Sequence, residues 1–151
     1  MKKIGIGLIG CGTVGSGLIR NLPKADALIG QRLGVQFEIK SIAVRDPAKS
    51  RDPLPTKPIQ DWKKLIADPA VQIVVELVGG LDEAFQIAQA TLHAKKPLVT
   101  ANKALLAERG QELIPLAQKS GVPIYFEASV AGGIPVLKAL REGLVANQLL
   151  G

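Results

Sequence analysis

Apolar and polar positions divide the chain into short apolar runs that alternate with amphipathic stretches. Ile4, Ile6, Leu8 and Ile9 make the first run, short enough for a buried strand. A helix is predicted from Thr13 to Leu22; Pro23 interrupts it, and Lys24 to Leu33 reads as a second helical piece ending at Gly34. The next strand runs from about Phe37 to Val44 and is stopped by Arg45-Asp46-Pro47. Ala48 to Pro58, with three prolines of its own, reads as an exposed loop. Asp61 caps a short helix through Ala67, which Asp68-Pro69 stops. Ile73 to Val78 is the third strand, closed by Gly79-Gly80. Asp82 or Glu83 begins a helix to about Lys95, with Phe85, Ala88 and Leu92 on one face. A short strand over Pro97 to Thr100, a helix over Ala104 to Ser120 and a strand over Ile124 to Glu127 follow. Gly132-Gly133-Ile134-Pro135 introduces a last helix to about Gly143, with Pro135 near its first position.

Strands that alternate with helices predict an α/β fold: a right-handed, doubly wound parallel sheet in three α/β/α layers, ordered 3-2-1-4-5. Composition agrees. The chain has 151 residues, the size of one domain, with 47% apolar and only 3% aromatic residues, so Leu, Ile, Val and Ala do the packing. There is no internal repeat and no low-complexity tract. The net charge is +6, but Lys and Arg are scattered and no basic cluster is interleaved with aromatics, so nucleic acid is not the expected partner. The lone Cys11 excludes an internal disulfide and a cysteine-based metal cage. No apolar run reaches membrane-spanning length and no signal peptide opens the chain, so a cytoplasmic protein is expected.

Candidate chemistry begins directly after the first strand, where Gly10, Gly12 and Gly15 are spaced G-x-G-x-x-G and open the first helix. In this context Gly10 permits the tight turn, Gly12 lets a pyrophosphate approach the backbone, and Gly15 lets helix and strand pack closely. Free N–H groups and the positive end of the helix dipole then face the phosphates, which predicts a Rossmann-type dinucleotide site. Folds of this type usually carry an acid at the end of the second strand for the ribose 2′-OH of NAD. Arg45 stands there instead, and a guanidinium favours the 2′-phosphate of NADP. Asp46 reverses that preference to NAD if it, and not Arg45, faces the ribose. Val78, Gly79 and Gly80 end the third strand inside the crevice, where glycines admit cofactor to the backbone; a plain strand-to-helix turn would use them equally well. Thr100, Asn102 and Lys103 follow the fourth strand on the same edge. Lys103 would reach the nicotinamide end, to hold an oxygen or, if burial lowers its pKa, to give a proton. Glu127 to Pro135 (EASVAGGIP) can aim carbonyls and a carboxylate at a hard cation, although a glutamate at a strand end is more often a surface residue. His93, the single histidine, lies far from the crevice on a helix and is read as structural.

At these residues the chain resembles homoserine dehydrogenase. GLIGCGTVGSG at 7–17, VVELVGG at 74–80, VTANKALLA at 99–107 and YFEASVAGGIPVLKAL at 125–140 carry the resemblance, in the family's order and spacing. The resemblance implies oxidation of L-homoserine to L-aspartate 4-semialdehyde with NAD(P), or the reverse reduction, in threonine, methionine and isoleucine biosynthesis. It implies Thr13 and Val14 against the pyrophosphate, Arg45 at the adenosine 2′-phosphate, and Lys103 in contact with cofactor and active site. It also implies a monovalent-cation site, usually sodium, at Glu127 with carbonyls of Val130, Gly132 and Ile134, bracing a junction between domains. The family's substrate-binding and dimerisation segment follows the GGIP helix and does not match any part of this chain. The expectation is therefore an NAD(P)-binding domain over 1–151 that binds dinucleotide without turnover and belongs to a homodimeric parent. The alternatives are another NAD(P)-dependent dehydrogenase of the same architecture and a non-catalytic NAD(H)-sensing module.

Overall fold

Strand β1 (Lys2–Ile9) is exposed at Lys2 and Lys3 and fully buried from Gly5 to Ile9, as expected of an apolar run entering the middle of a sheet. A computed structural model describes residues 1–49, 54–131 and 134–143. Within them β1 pairs in parallel with β2 (Val35–Ala43) on one side and β3 (Ile73–Glu76) on the other. Strands β4 (Leu98–Thr100) and β5 (Ile124–Tyr125) extend the sheet, also in parallel.

The order is β2-β1-β3-β4-β5, which corrects the predicted 3-2-1-4-5. The strand at Ile73 lies beside β1 and not outside β2. Among the described residues the outer side of β2 is met instead by Ile59 alone, whose N–H donates to the Ile42 carbonyl and whose carbonyl accepts from Val44 N–H, both at 2.9 Å. Pro55 and Pro58 cannot donate to a ladder, which limits this would-be strand to a single bridge. The chain moves outward from β1 to β2, then back across β1 to β3, so the sheet's direction of progress reverses between β1 and β3. Open α/β sheets form their ligand crevice at such a switch point.

Helix α1 (Thr13–Leu33) is continuous, which corrects the predicted break at Pro23. The proline removes one internal hydrogen bond, but its ring is exposed, and the helix is held on both sides of it. Leu18, Ile19 and Leu22 pack under the first half, and Gly30 is buried in the second. Gly34 ends the helix in the left-handed conformation at φ 67°, as read from the sequence. Helices α2 (Trp62–Ala67), α3 (Asp82–His93) and α4 (Lys103–Ser120) follow the predicted pattern, and α2 has the expected cap: Asp61 Oδ1 accepts from Lys63 N–H at 2.9 Å.

Two cores separate on the sheet's faces. Ile9, Val74 and Leu98 pack with Leu65, Ile87, Leu92, Leu105 and Leu113 from α2, α3 and α4. Leu8, Ile42 and Val75 face the other way, toward α1. The layers are three, as predicted, but unequal, with α1 on one side and α2, α3 and α4 on the other. Beyond β5 the predicted strand through Glu127 ends two residues early, and Glu127–Ser129 form a 3₁₀ turn. The predicted last helix is reduced to α5 (Val136–Lys138), which runs into a π turn over Ala139–Gly143.

Candidate functional site

The crevice is assembled at the carboxyl ends of β1, β2 and β3. A cavity of about 440 Å³ is lined there by Ile9, Gly10 and Gly12 from the glycine loop, Ala43 to Arg45, and Leu77 and Val78, with Glu83 and Trp62. Gly10 has φ 95°, and a β-carbon on it would lie 2.6 Å from the Leu77 carbonyl oxygen, so both the turn and the contact with the β3 loop require glycine. A β-carbon on Gly15 would lie 2.5 Å from the Gly10 carbonyl oxygen, the close helix–strand approach read from the sequence. Gly12 differs: a β-carbon there would meet nothing within 4 Å, because the position faces open crevice. Gly12 is the N-cap of α1, no side chain caps the helix, and no acid lies in its first turn. Its first amides are therefore left for a ligand, and an anion is the chemistry they fit. Thr13 is exposed beside them, and Val14 is 61% exposed, unusual for an apolar side chain.

Arg45 follows β2 and lines the cavity, its side chain 88% exposed. Its guanidinium lies 3.5 Å from Glu83 Oε2, and its own carbonyl accepts from Gln60 Nε2 at 3.2 Å. Asp46, the rival for the ribose, is turned into its own loop, where Oδ1 accepts from Ala48 N–H at 2.9 Å.

Across the switch point, Glu76 is the residue that sequence reasoning missed. It ends β3 directly opposite Thr100 on β4 and is 0% exposed. Glu76 Oε1 accepts from Val78 N–H at 2.8 Å, and Oε2 accepts from the Thr100 hydroxyl at 2.6 Å. Thr100 Oγ1 in turn accepts from Asn102 N–H at 3.1 Å. Asn102 caps α4 through Oδ1, which accepts from Leu105 N–H, while its Nδ2 donates to the Gly80 carbonyl at 2.7 Å. In this network Thr100 and Asn102, the expected cofactor contacts, tie the loops after β3 and β4 together, and Thr100 is wholly buried. Gly79 and Gly80 both have positive φ (72° and 77°), so the turn itself demands them. The signal for Glu76 was present in the sequence, a single carboxylate inside the apolar run IVVELV.

Lys103 opens α4 and lines a second cavity of about 340 Å³ with Val14, Gly79, Asn102 and the buried Glu76. It is exposed, so the burial suggested as readying it for proton transfer is not provided by these residues. Glu127 is a cap as well as a candidate ligand: Oε1 accepts from Leu137 N–H at 2.9 Å at the start of α5. The Ile134 carbonyl accepts from Val136 N–H at 2.8 Å, and Val130 follows the 3₁₀ turn. These are hard oxygen donors with lone pairs to spare, which fits a cation such as sodium. Gly132 lies outside the described residues. No cluster of three or more His, Cys, Asp and Glu that could hold a metal exists among the described residues. No described helix is long and apolar enough to cross a membrane.

The comparisons with known proteins agree with this geometry. Residues 10–127 match the family model for the NAD-binding domain of homoserine dehydrogenase. A homoserine dehydrogenase of Bacillus subtilis is 41% identical over 151 residues, covering 99% of this chain and 35% of the relative. The crystal structure of a homoserine dehydrogenase from Thiobacillus denitrificans superposes with a TM-score of 0.91 at 42% identity, over 97% of this chain and 34% of that one. A hyperthermophilic archaeal homoserine dehydrogenase in complex with NADPH superposes at 0.70 and 26% identity, over 95% of this chain and 50% of that one. The chain spans about a third of the length of the curated relatives it matches.

Proposed function

The chain belongs to the homoserine dehydrogenase family, as its NAD-binding domain, and on that premise we propose that it holds NADP in the cavity at the switch point, in preference to NAD. The observation that carries this reading is the pairing of an uncapped α1 N-terminus with a basic residue, Arg45, that lines the same cavity. The α1 amides receive the pyrophosphate. Arg45 receives the 2′-phosphate through its forked donors, while Asp46 Oδ1 accepts from Ala48 N–H within its own loop. That an archaeal relative has been solved in complex with NADPH supports a nicotinamide dinucleotide as the ligand.

A bound nicotinamide dinucleotide supplies hydride transfer. In the longer protein the reaction is the interconversion of L-homoserine and L-aspartate 4-semialdehyde. There Thr13 and Val14 lie beside the pyrophosphate, and Val78, Gly79 and Gly80 give the cofactor access to backbone. The network of Glu76, Thr100 and Asn102 fixes the loop from which Lys103 projects. Lys103 holds an oxygen of cofactor or substrate, and its catalytic role as proton donor requires a covering segment to shield it from water. Glu127, with the carbonyls of Val130 and Ile134, holds a monovalent cation that braces a junction between domains. The parent works as a homodimer in the cytoplasm.

A thermal-shift titration of this polypeptide with NADPH and, separately, NADH tests the reading. A ligand at a hundredfold excess over its dissociation constant stabilises the folded chain by about 2.7 kcal/mol. The expected result is a shift with both and the larger with NADPH. A larger shift with NADH would transfer the ribose to another residue, and no shift with either would overturn the site.

A further inference from the structure

Two acids, Asp82 and Glu83, stand in the first turn of α3. A carboxylate there is favoured by the helix dipole, and Asp82 alone meets that preference. Glu83 does something more. It lines the same cavity as the glycine loop, and its Oε2 lies 3.5 Å from Arg45 Nη2. The pair joins the loop after β2 to the start of α3, on two sides of the switch point. Gln60 fixes the Arg45 backbone through its carbonyl, so Glu83 governs only the guanidinium.

We propose that Glu83 sets how strongly this cavity distinguishes a phosphorylated from an unphosphorylated adenosine ribose, by occupying Arg45 as its counter-ion. The inference rests on the dinucleotide reading above and deepens it. A ribose 2′-phosphate that engages Arg45 must share its guanidinium with Glu83 or displace it, and in either case lies within a few ångströms of that carboxylate. The like charge works against the phosphate as Arg45 works for it. An unphosphorylated ribose meets neither effect, since a hydroxyl can accept from Arg45 or donate to Glu83. The chain therefore tolerates both dinucleotides, with a preference for the phosphorylated one smaller than Arg45 alone would give. Both side chains are substantially exposed, 88% and 47%, so the effect is modest and screened by salt.

The test is titration of intact polypeptide with NADPH and NADH by calorimetry, for the wild type, Glu83→Gln, Glu83→Lys and Arg45→Ala, at low and high ionic strength. Glu83→Gln is expected to tighten NADPH about two- to fivefold at low salt, the scale of one exposed charge interaction, and to leave NADH nearly unchanged. Glu83→Lys should tighten NADPH further, and high salt should shrink both gains. Equal changes for the two dinucleotides, or none, in a wild type that binds both would overturn the role of Glu83 alone. Loss of the NADPH preference in Arg45→Ala, with Glu83→Gln then without effect in the double variant, supports the counter-ion account. A wild type that binds neither dinucleotide overturns the underlying site, and this inference with it.

Discussion

Around the glycine loop the crevice is made by leaving side chains out. Gly12 faces open space, the first amides of α1 have no cap, and Arg45 reaches in from the rim on an exposed side chain. Across the switch point, at the ends of β3 and β4, it is made by packing polar side chains in. Glu76, Thr100 and Asn102 give their hydrogen-bonding groups to each other and to the backbone of Val78, Gly80 and Leu105. The first region has spare valences and waits for a ligand; the second has spent its valences on holding two loops in register. Substitutions on the first side should therefore be felt in binding, and those on the second in folding.

The sharpest way to break that contrast is Glu76→Ala. It strands the Val78 N–H and the Thr100 hydroxyl in the interior, each at a cost of about 1–3 kcal/mol. A stability loss of about 3 kcal/mol is expected, which in a domain of this size lowers Tm by roughly 6–12 °C. Urea unfolding followed by circular dichroism measures it, and a neutral result would mean that the network is ornamental. Gly10→Ala is the exception on the open side, because φ 95° and the Leu77 carbonyl both oppose a β-carbon; a loss of about 2 kcal/mol is expected in the same assay. Asn102→Ala removes the α4 cap and the tie to Gly80, for a loss of about 1 kcal/mol. Gly12→Ala should cost no more than about 1 kcal/mol, the loss of a glycine N-cap, yet weaken NADPH by roughly tenfold, since its new methyl group points into the open crevice. Least of all, Arg45→Ala should change stability by no more than about 0.5 kcal/mol while weakening NADPH more than NADH. Equal loss for both dinucleotides would move 2′-phosphate recognition to another residue.

The same division governs what was legible in the sequence. Gly10, Gly12 and Gly15 announced themselves because their spacing after an apolar run has one structural meaning, and each has a separable role in the structure. Strand and helix identities followed from periodicity. The errors lie where tertiary packing overrides a local signal. Pro23 reads as a break, yet Leu18, Ile19 and Leu22 on one side and Gly30 on the other keep α1 whole. The strand order failed because the prolines around Ile59 reduce an outer strand to one bridge, which no periodicity can register. Glu76 stands out in the sequence only as one carboxylate inside the apolar run IVVELV; what it does depends on Thr100, 24 residues away. For Asn102, which reads as a ligand contact, the sequence leaves out a second duty: the same amide caps its own helix and bonds the Gly80 carbonyl.

The Ile59 bridge has a bearing on how the chain behaves at high concentration. A long unpaired strand margin is a template on which a second chain can add, and β2 is the longest strand of this sheet. Its upper end is closed by Ile59, and the proline at 58 stops any further ladder from that side. Lower down, Glu38 and Lys40 stand on the same strand as a charged pair 2.8 Å apart, with Lys3 on the neighbouring strand 3.6 Å from Glu38. At the opposite margin β5 is only two residues long and offers little to copy. A vestigial strand on one side and a stub on the other thus work as guards against chain-to-chain stacking, protecting a fold whose interior is otherwise rich in the Val and Ile runs that aggregate readily.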